Sequence, residues 1–327
     1  MHGIKRRQWT DESLAQKRAL DQEKIKHYRN LNNKLLAKKT AKKYDDASLV
    51  DTTRLLSLNP EFNSIWNYRR DIISAIKDTL DENFWERELE FTMDQLRSFP
   101  KVYWIWNHRV WCLNNYPGSS IEVWKRELVI VGKLLEMDPR NFHGWHYRRI
   151  IIASIEKISD SSMNKHELEY TTTMINGNIS NFSAWHQRCQ LIPKMIKMHE
   201  LGDLNEFIQK EINYLINAMF TDAEDQSVWM YVKWFIKEKC IIEHLTTDAY
   251  IAMLQKFKEN ILYINEDELE FSGKENVWCL KALIVIESIE TSDLNLTSDC
   301  KKEDYLNRLI ELDQPRKNRY RHMLNDA

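Results

Sequence analysis

The chain has 327 residues, 43% of them hydrophobic, which is enough for two ordinary domains or for one long array with a substantial core. It contains only 7 glycines and 6 prolines, about 4% of its length against about 12% in an average protein. Turns and hairpins depend on these two residues, so helix is favoured over sheet. The net charge is −2, from 47 basic and 49 acidic residues, and this excludes the strongly basic surface that duplex nucleic acid requires.

The first 43 residues are predicted to form a basic helical arm, followed by a single repeat domain over 44–327. Lysines and arginines are concentrated between Ile4 and Lys43. A solvated helix explains this charge as well as a docking strip for an acidic partner does, and both interpretations stay open.

The cysteines and the hydropathy pattern indicate where the protein works. None of the five cysteines is in a CxxC pair, so neither a disulfide framework nor an internal zinc cluster is expected. No apolar run approaches the roughly 18 residues of a membrane span, and no apolar segment follows the basic start as in a secretory signal. The expected location is the cytoplasm, with no transmembrane segment.

Tryptophan reveals an internal repeat. The first four members of a series are separated by 40, 39 and 40 residues, and two more follow after 44 and 49; the series is Trp66, Trp106, Trp145, Trp185, Trp229 and Trp278. A second marker begins 18 residues before each of four of these tryptophans, as Glu88-Leu89, Glu127-Leu128, Glu167-Leu168 and, with isoleucine, Glu211-Ile212. Two markers in one register predict an all-α fold, a right-handed α-α superhelix of about six to seven helical hairpins.

Each repeat is expected to hold two helices. The first includes segments such as 84–99 and 123–137, and Pro60, Pro100 and Pro139 end it because proline disfavours helical geometry in the residue before it. The second carries the tryptophan. The segments after Leu245 and over 290–299 are expected to be irregular insertions.

An arginine follows each of the first four tryptophans at the third position, on the same helix face. We interpret the tryptophans as wedges between helical pairs, and the arginines as groups that stack on aromatic rings and bind carbonyls of an adjoining turn. These positions are therefore predicted to be structural: Trp66, Arg69, Trp106, Arg109, Trp145, Arg148, Trp185, Arg188, Trp229 and Trp278.

No catalytic motif is evident, but one edge of the array could bind an anion. The position five residues before the tryptophan is basic only in the second and third copies, as Lys101 and Arg140. It lies at the start of the second helix, where free N–H groups and the helix dipole favour phosphate. Tyr103 and His143 are on the same two turns. A solvated basic rim is the alternative.

The repeat words resemble those of protein prenyltransferase α subunits, most strongly over about 44–240. The third copy, DPRNFHGWHYRRI, is similar to the type II branch, which acts on Rab proteins, and so is the opening Met1-His2-Gly3. The farnesyltransferase and type I branch tends toward a different word, and its α subunit remains an alternative, as does a non-catalytic helical scaffold that binds peptides. Because the chain stops soon after the final repeat, it is expected to lack the leucine-rich and immunoglobulin-like domains of animal members.

The resemblance implies a subunit that is inactive without its β partner. The pair would transfer geranylgeranyl from geranylgeranyl diphosphate to C-terminal cysteines of Rab-type GTPases, presented by an escort protein. Zinc would be held by the β subunit, with magnesium as a second candidate cofactor. By position, Lys101, Tyr103 and His143 would line the diphosphate pocket, with Lys101 stabilising the leaving group. Phe142 replaces a tyrosine of the other branch. His2 could reach the partner's zinc, although an ordinary mobile terminus is the alternative.

Overall fold

The computed structural model describes residues 10–296 and 301–325, which form helices and contain no strand. His2 lies outside these residues. The α-helices are α1 (Asp11–Thr40), α2 (Asp46–Leu58), α3 (Asn63–Ala75), α4 (Phe84–Ser98), α5 (Tyr103–Asn115), α6 (Ile121–Met137), α7 (Phe142–Ser159), α8 (Asn164–Gly177), α9 (Phe182–Lys197), α10 (Leu204–Thr221), α11 (Gln226–Phe235), α12 (Lys239–Ile242), α13 (Thr247–Ser272), α14 (Val277–Ser292), α15 (Lys302–Leu312) and α16 (Lys317–Asn325). The prediction of an all-α chain is confirmed.

The described residues fall into two compact units. The first comprises 10–131 and 143–151, and the second comprises 132–142, 152–296 and 301–325. Helices α1–α5 belong to the first unit and α8–α16 to the second, while α6 and α7 contribute residues to both. The division into a basic arm and one repeat domain stays a prediction.

The turn between the two helices of a repeat is held by the tryptophan itself. The indole N–H of Trp66 donates to the carbonyl of Pro60 at 2.8 Å, and that of Trp106 donates to Pro100 at 2.9 Å. Trp185 makes the same bond to the carbonyl six residues earlier, at 2.8 Å. These rings are at most 4% exposed. A large apolar body with one polar atom therefore fills the core and also satisfies a turn carbonyl.

Arg69, Arg109 and Arg188 each pair with the glutamate that begins the next register marker. Arg69 donates to both oxygens of Glu88, with the Nε–Oε1 distance at 2.6 Å. Arg109 binds Glu127 at 2.8 and 2.7 Å. Bidentate pairs of this kind combine charge with fixed geometry. The glutamates are at most 2% exposed, so the pairs lie in the core.

The same arginines also make the contacts expected from the sequence. The guanidinium of Arg69 lies 4.9 Å from the ring centroid of Phe91 and donates to the carbonyl of Leu49 at 3.0 Å. In the second unit, Arg188 donates to Glu211 at 2.7 Å and lies 5.4 Å from the ring of Tyr214. Ring stacking and carbonyl binding were foreseen, but the principal partner, a glutamate, was not.

Three of these glutamates, Glu88, Glu127 and Glu211, accept a further hydrogen bond from the residue two positions after a repeat tryptophan. The His108 ring binds Glu88 at 2.6 Å, and the Tyr147 hydroxyl donates to Glu127 at 2.7 Å. Tyr231 donates to Glu211 at the same distance of 2.7 Å. Buried carboxylates are costly unless paired and hydrogen-bonded, and these are both.

The prediction of an irregular insertion after Leu245 is wrong. After Leu245, only Thr246 precedes α13, whose 26 residues make it longer than the first helices of the other repeats. The short helix α12 ends at Ile242, before this segment. The residues that widen the spacing between Trp229 and Trp278 to 49 therefore lie mainly in a helix. Of the second expected insertion, 290–292 complete α14, and 297–300 lie outside the described residues.

The basic arm uses part of its charge within the chain. Lys34 and Lys38 of α1 both lie 2.8 Å from the buried carboxylate of Asp51, and Lys39 donates to the carbonyl of Ser64 at 3.0 Å. The end of the arm therefore docks on the first repeat. Lysines and arginines toward the start of α1 are exposed.

Candidate functional site

Lys101, Tyr103 and His143, which the sequence proposes as an anion-binding group, come together in the first unit. Lys101 is exposed on the turn before α5, and Tyr103 is the first residue of α5. His143 is the second residue of α7; its ring lies 5.9 Å from the Tyr103 ring, centroid to centroid, and bonds to the backbone of Lys101. The structure thus brings all three to one edge.

The start of α5 has unsatisfied donors. Its N-cap is Val102, which makes no side-chain capping bond, whereas Asn181 and Asp225 cap α9 and α11 at the equivalent position. The first N–H groups of a helix have no partner inside the helix. Those of α5 are consequently available to an anion beside Lys101, where the helix dipole also favours negative charge.

The ionisation of His143 suits hydrogen bonding. Burial lowers the pKa of His143, and the bond to the Lys101 backbone only partly opposes this. His146 lowers the pKa further, while Glu61 raises it. The ring is therefore neutral at neutral pH, and it donates its single N–H to the backbone carbonyl of Lys101. Glu61 is the carboxylate that acts on this ring, and it is exposed to solvent.

Arg70 is a cation near this edge that the sequence reasoning missed. It donates to the Asn107 side chain at 2.9 Å and also to Asn67, and burial lowers its pKa. The field of Tyr103 acts on the same guanidinium. The signal was present in the sequence, since the fourth position after the tryptophan is basic in several copies.

A cavity of about 60 Å³ is lined by residues of α5 and α7 within this unit. Tyr103, Asn107 and His143 line it together with Trp106 and Tyr147. Arg70 does not line this cavity, but it bonds to Asn107, which does. The cation therefore lies one side chain away from the space between Tyr103 and His143. The cavity has room for about one or two water-sized groups, so a larger ligand would lie across its opening.

Arg140 and Phe142 belong to the second unit. Arg140 is exposed on the turn between α6 and α7, and Phe142, the first residue of α7, is 69% exposed. The predicted common rim of Arg140 and Lys101 stays a prediction. The exposed Phe142 ring offers an apolar surface in place of the hydroxyl of a tyrosine.

One group of potential metal ligands occurs among the described residues, namely Glu88, His108 and Cys112, whose ligand atoms lie within 4.8 Å of one another. Burial alone would raise the pKa of Glu88, but Arg69 and then His108 hold it well below its usual range. Burial also raises the pKa of the Cys112 thiol well above its ordinary value. A carboxylate bound by arginine and a protonated thiol in the core do not fit a catalytic zinc, which needs an open coordination position.

The repeat matches a family model described as the protein prenyltransferase alpha subunit repeat. Four copies match, at residues 45–76, 85–116, 124–155 and 164–195. A relative in Saccharomyces cerevisiae, called geranylgeranyl transferase type-2 subunit alpha, is 55% identical over 324 residues that cover 99% of both chains. The chain belongs to the protein prenyltransferase alpha subunit family. The predicted resemblance is confirmed.

Further relatives of this α-subunit family carry the same description. The one from Candida albicans is 37% identical and covers 98% of this chain and 96% of its own. The rat relative is 32% identical over 244 residues, which are 72% of this chain and 42% of the rat protein. Both are called geranylgeranyl transferase type-2 subunit alpha, so the type II branch is confirmed and the farnesyl or type I alternative is not favoured.

A solved structure shows the same fold as this family member. Candida albicans protein geranylgeranyltransferase-I complexed with GGPP matches with a TM-score of 0.69 and 20% identity, covering 92% of this chain and 90% of that chain. The predicted α-α superhelix fold is confirmed by this likeness. In the described part of the chain, no helix has the length and apolar character that crossing a bilayer demands.

Proposed function

We propose that this chain is the α subunit of a type-2 protein geranylgeranyltransferase. With a β subunit it transfers geranylgeranyl from its diphosphate to C-terminal cysteines of Rab-type GTPases, which an escort protein presents. The observation that carries the proposal is the Tyr103–His143 pair, held beside Lys101 at the uncapped start of α5. Two relatives that match over 96% or more of their own length are both called geranylgeranyl transferase type-2 subunit alpha.

The edge suits the diphosphate that leaves in this reaction. The cysteine sulfur forms a bond to the first carbon of the prenyl group, the carbon–oxygen bond breaks, and diphosphate departs with the bonding electrons while the thiol loses its proton. Negative charge therefore grows on diphosphate oxygens. Lys101 supplies a positive charge there and Tyr103 an O–H, while the His143 ring, which bonds to the Lys101 backbone, fixes the position of that turn. The edge therefore binds the transition state more strongly than the substrate.

The zinc that the family implies would be held by the β subunit, since the buried group around Glu88 does not fit it. Bound there, zinc would supply the charge that lowers the pKa of the acceptor thiol. Magnesium would assist the diphosphate. This chain's own residues orient the diphosphate and offset its charge, whether or not His2 reaches the metal.

Co-expression with type-2, type-1 and farnesyltransferase β subunits tests the proposal. We expect a stable heterodimer with the type-2 β subunit, and prenyl transfer to a Rab with two C-terminal cysteines only when an escort protein is present. Transfer to a CaaX peptide in the absence of the escort protein would instead support the type I alternative. A stable monomer that joins none of these β subunits would support the scaffold alternative.

A further inference from the structure

A groove in the second unit lies away from the residues assigned above. It has a volume of about 280 Å³ and is bordered by α11, α14 and α16, with one residue from α15. Its walls are mainly apolar, and the side chains that form them include Trp229, Met230, Ile236, Trp278, Val285 and Met323. Met230 is 42% exposed, so the apolar wall is open to solvent.

Four cations stand around this apolar wall: Lys233, Lys281, Arg316 and Arg319. No lining residue that the structure describes carries a negative charge. An apolar groove with only positive groups at its border is complementary to a ligand that is both apolar and anionic.

Two of the cations are neutralised from behind. Lys281 lies 3.0 Å from Asp313, which also binds Arg316 at 3.0 Å and the Tyr320 hydroxyl at 2.5 Å. Lys281 in addition lies 4.5 Å above the Trp278 ring. These contacts fix the far side of the groove, so Lys281 is held in place against an aromatic surface.

The other two cations have no such partner. Neither Lys233 nor Arg319 forms an ion pair with any carboxylate of the residues that the structure describes. Burial lowers the pKa of Lys233, and the nearby charges of Lys237 and Arg319 lower it further. Like charges held together at the border of an apolar groove repel each other until an anion joins them.

The size of the groove indicates what enters it. Clefts that bury a whole small ligand usually measure about 300–1,000 Å³, and this groove lies just below that range. One bulky side chain suits it better than a complete prenyl chain. Helical repeat arrays commonly bind extended polypeptides along one face built from equivalent helices, and α11 and α14 are the tryptophan helices of successive repeats.

We propose that this groove binds a segment of a partner polypeptide in which a bulky apolar side chain is flanked by carboxylates. The apolar side chain packs between Trp229 and Trp278, and the carboxylates bind Lys233 and Arg319. The proposal goes beyond the proposed function, because neither the diphosphate edge nor prenyl transfer depends on it.

The test uses the co-expressed heterodimer and a fluorescein-labelled peptide with one phenylalanine between two pairs of glutamates. Fluorescence polarisation should show saturable binding. Exchanging the glutamates for glutamine, or the phenylalanine for alanine, should each weaken binding by about tenfold or more. Prenyl transfer by the same preparation, measured separately, reports on the proposed function.

Two variants act on the groove by different means. Lys233→Glu with Arg319→Glu reverses the unpaired charges, and Ala282→Leu fills the groove from its half-buried wall. Each should weaken peptide binding by about tenfold or more without changing the thermal midpoint. The matched control, Lys210→Glu with Lys274→Glu, changes two exposed lysines outside the groove and should bind like the parent.

Several outcomes would overturn the proposal. These are absence of peptide binding to the heterodimer, equal binding by the groove variants, or equal binding of the glutamine peptide. Displacement of the peptide by dodecyl phosphate at a lower concentration than by unlabelled peptide would assign the groove to a lipid-like anion instead.

Discussion

Arg109 of α5 donates two hydrogen bonds to Glu127 of α6, at 2.8 and 2.7 Å, and so joins one helical pair to the next. Burial lowers the pKa of Arg109, but Tyr147 and Glu127 outweigh this effect and raise the pKa above its ordinary value. Tyr147 supplies the third bond to the same carboxylate, at 2.7 Å. The joint between consecutive repeats is thus a buried, fully satisfied ionic network.

Breaking this joint should be costly. Arg109→Ala leaves the Glu127 carboxylate buried without its cation, which we expect to lower the free energy of unfolding by about 3–5 kcal/mol. Urea unfolding of the heterodimer, followed by circular dichroism, measures the loss. Arg97→Ala, which removes an exposed pair with Asp94, should cost less than about 1 kcal/mol.

The complementary experiment removes the whole network. Because a buried ion pair is often replaced by apolar side chains without loss, Arg109→Met with Glu127→Leu and Tyr147→Phe should recover most of the stability that Arg109→Ala loses. Equal destabilisation by the single and the triple variant would show that the cost comes from packing and not from an unpaired charge.

Lys101→Ala should slow prenyl transfer without disturbing the fold. The side chain is exposed, and removing one group that stabilises developing charge typically costs about 100-fold in rate. Single-turnover transfer by the heterodimer measures this, with Lys125→Ala, another exposed lysine, as the control. A single-turnover rate equal to the parent's would reject the assigned role.

His143 should act as a neutral hydrogen-bond donor, since burial lowers its pKa. His143→Gln keeps a hydrogen-bond donor, whereas His143→Ala removes it. The single-turnover rate of the glutamine variant should therefore be about tenfold or more higher than that of the alanine variant. If the two variants were equally slow, the essential property would be the imidazole itself, and its charge would have to be reconsidered.

Stability should fall in mild acid because of His108. Burial lowers the pKa of this fully buried ring despite its contact with Glu88, so the folded chain holds it neutral while the unfolded chain takes up a proton near pH 6.5. The contribution of His108 to the free energy of unfolding is therefore fully present above that pH. Below it, the free energy of unfolding declines by up to about 1.4 kcal/mol per pH unit. The lowered pKa of His143 adds in the same direction.

Urea unfolding at pH 7.5 and pH 5.5 measures this decline. His108→Gln should reduce it, because glutamine occupies the equivalent position in the fourth repeat, at Gln187. His27→Gln, a change at an exposed histidine of α1, should leave it as in the parent chain. An undiminished decline in the His108 variant would assign the acid sensitivity to other groups.

The sequence predicted the helical pairs because their signals are local. A tryptophan that bonds to a carbonyl six residues earlier must recur wherever that turn recurs, as at Trp66 and Trp106. The glutamate markers were noticed only as a register. Their role as partners of arginine stayed hidden because the two residues, such as Arg69 and Glu88, belong to different helical pairs and meet only after folding.

The candidate site was predictable in its residue types and less so in its contacts. Lys101 and His143 were identified from their positions before the tryptophans, but the bond between the His143 ring and the Lys101 backbone depends on how α5 and α7 pack. Arg70 was missed for a similar reason, since only the fold brings it to Asn107. The sequence predicts an irregular insertion where the long helix α13 forms, because a wider repeat spacing does not show whether the added residues are helical.

A buried glutamate such as Glu88 is bound by side chains from two helical pairs, and this limits how such a chain can change its length. Glu88 is completed by Arg69 from before it and by His108 from after it, so removing a single helix would separate donors from their acceptor. Excision of one complete period, in contrast, brings an equivalent arginine to an equivalent glutamate. In evolution or by engineering, insertions and deletions within the array should therefore be tolerated only as whole two-helix modules.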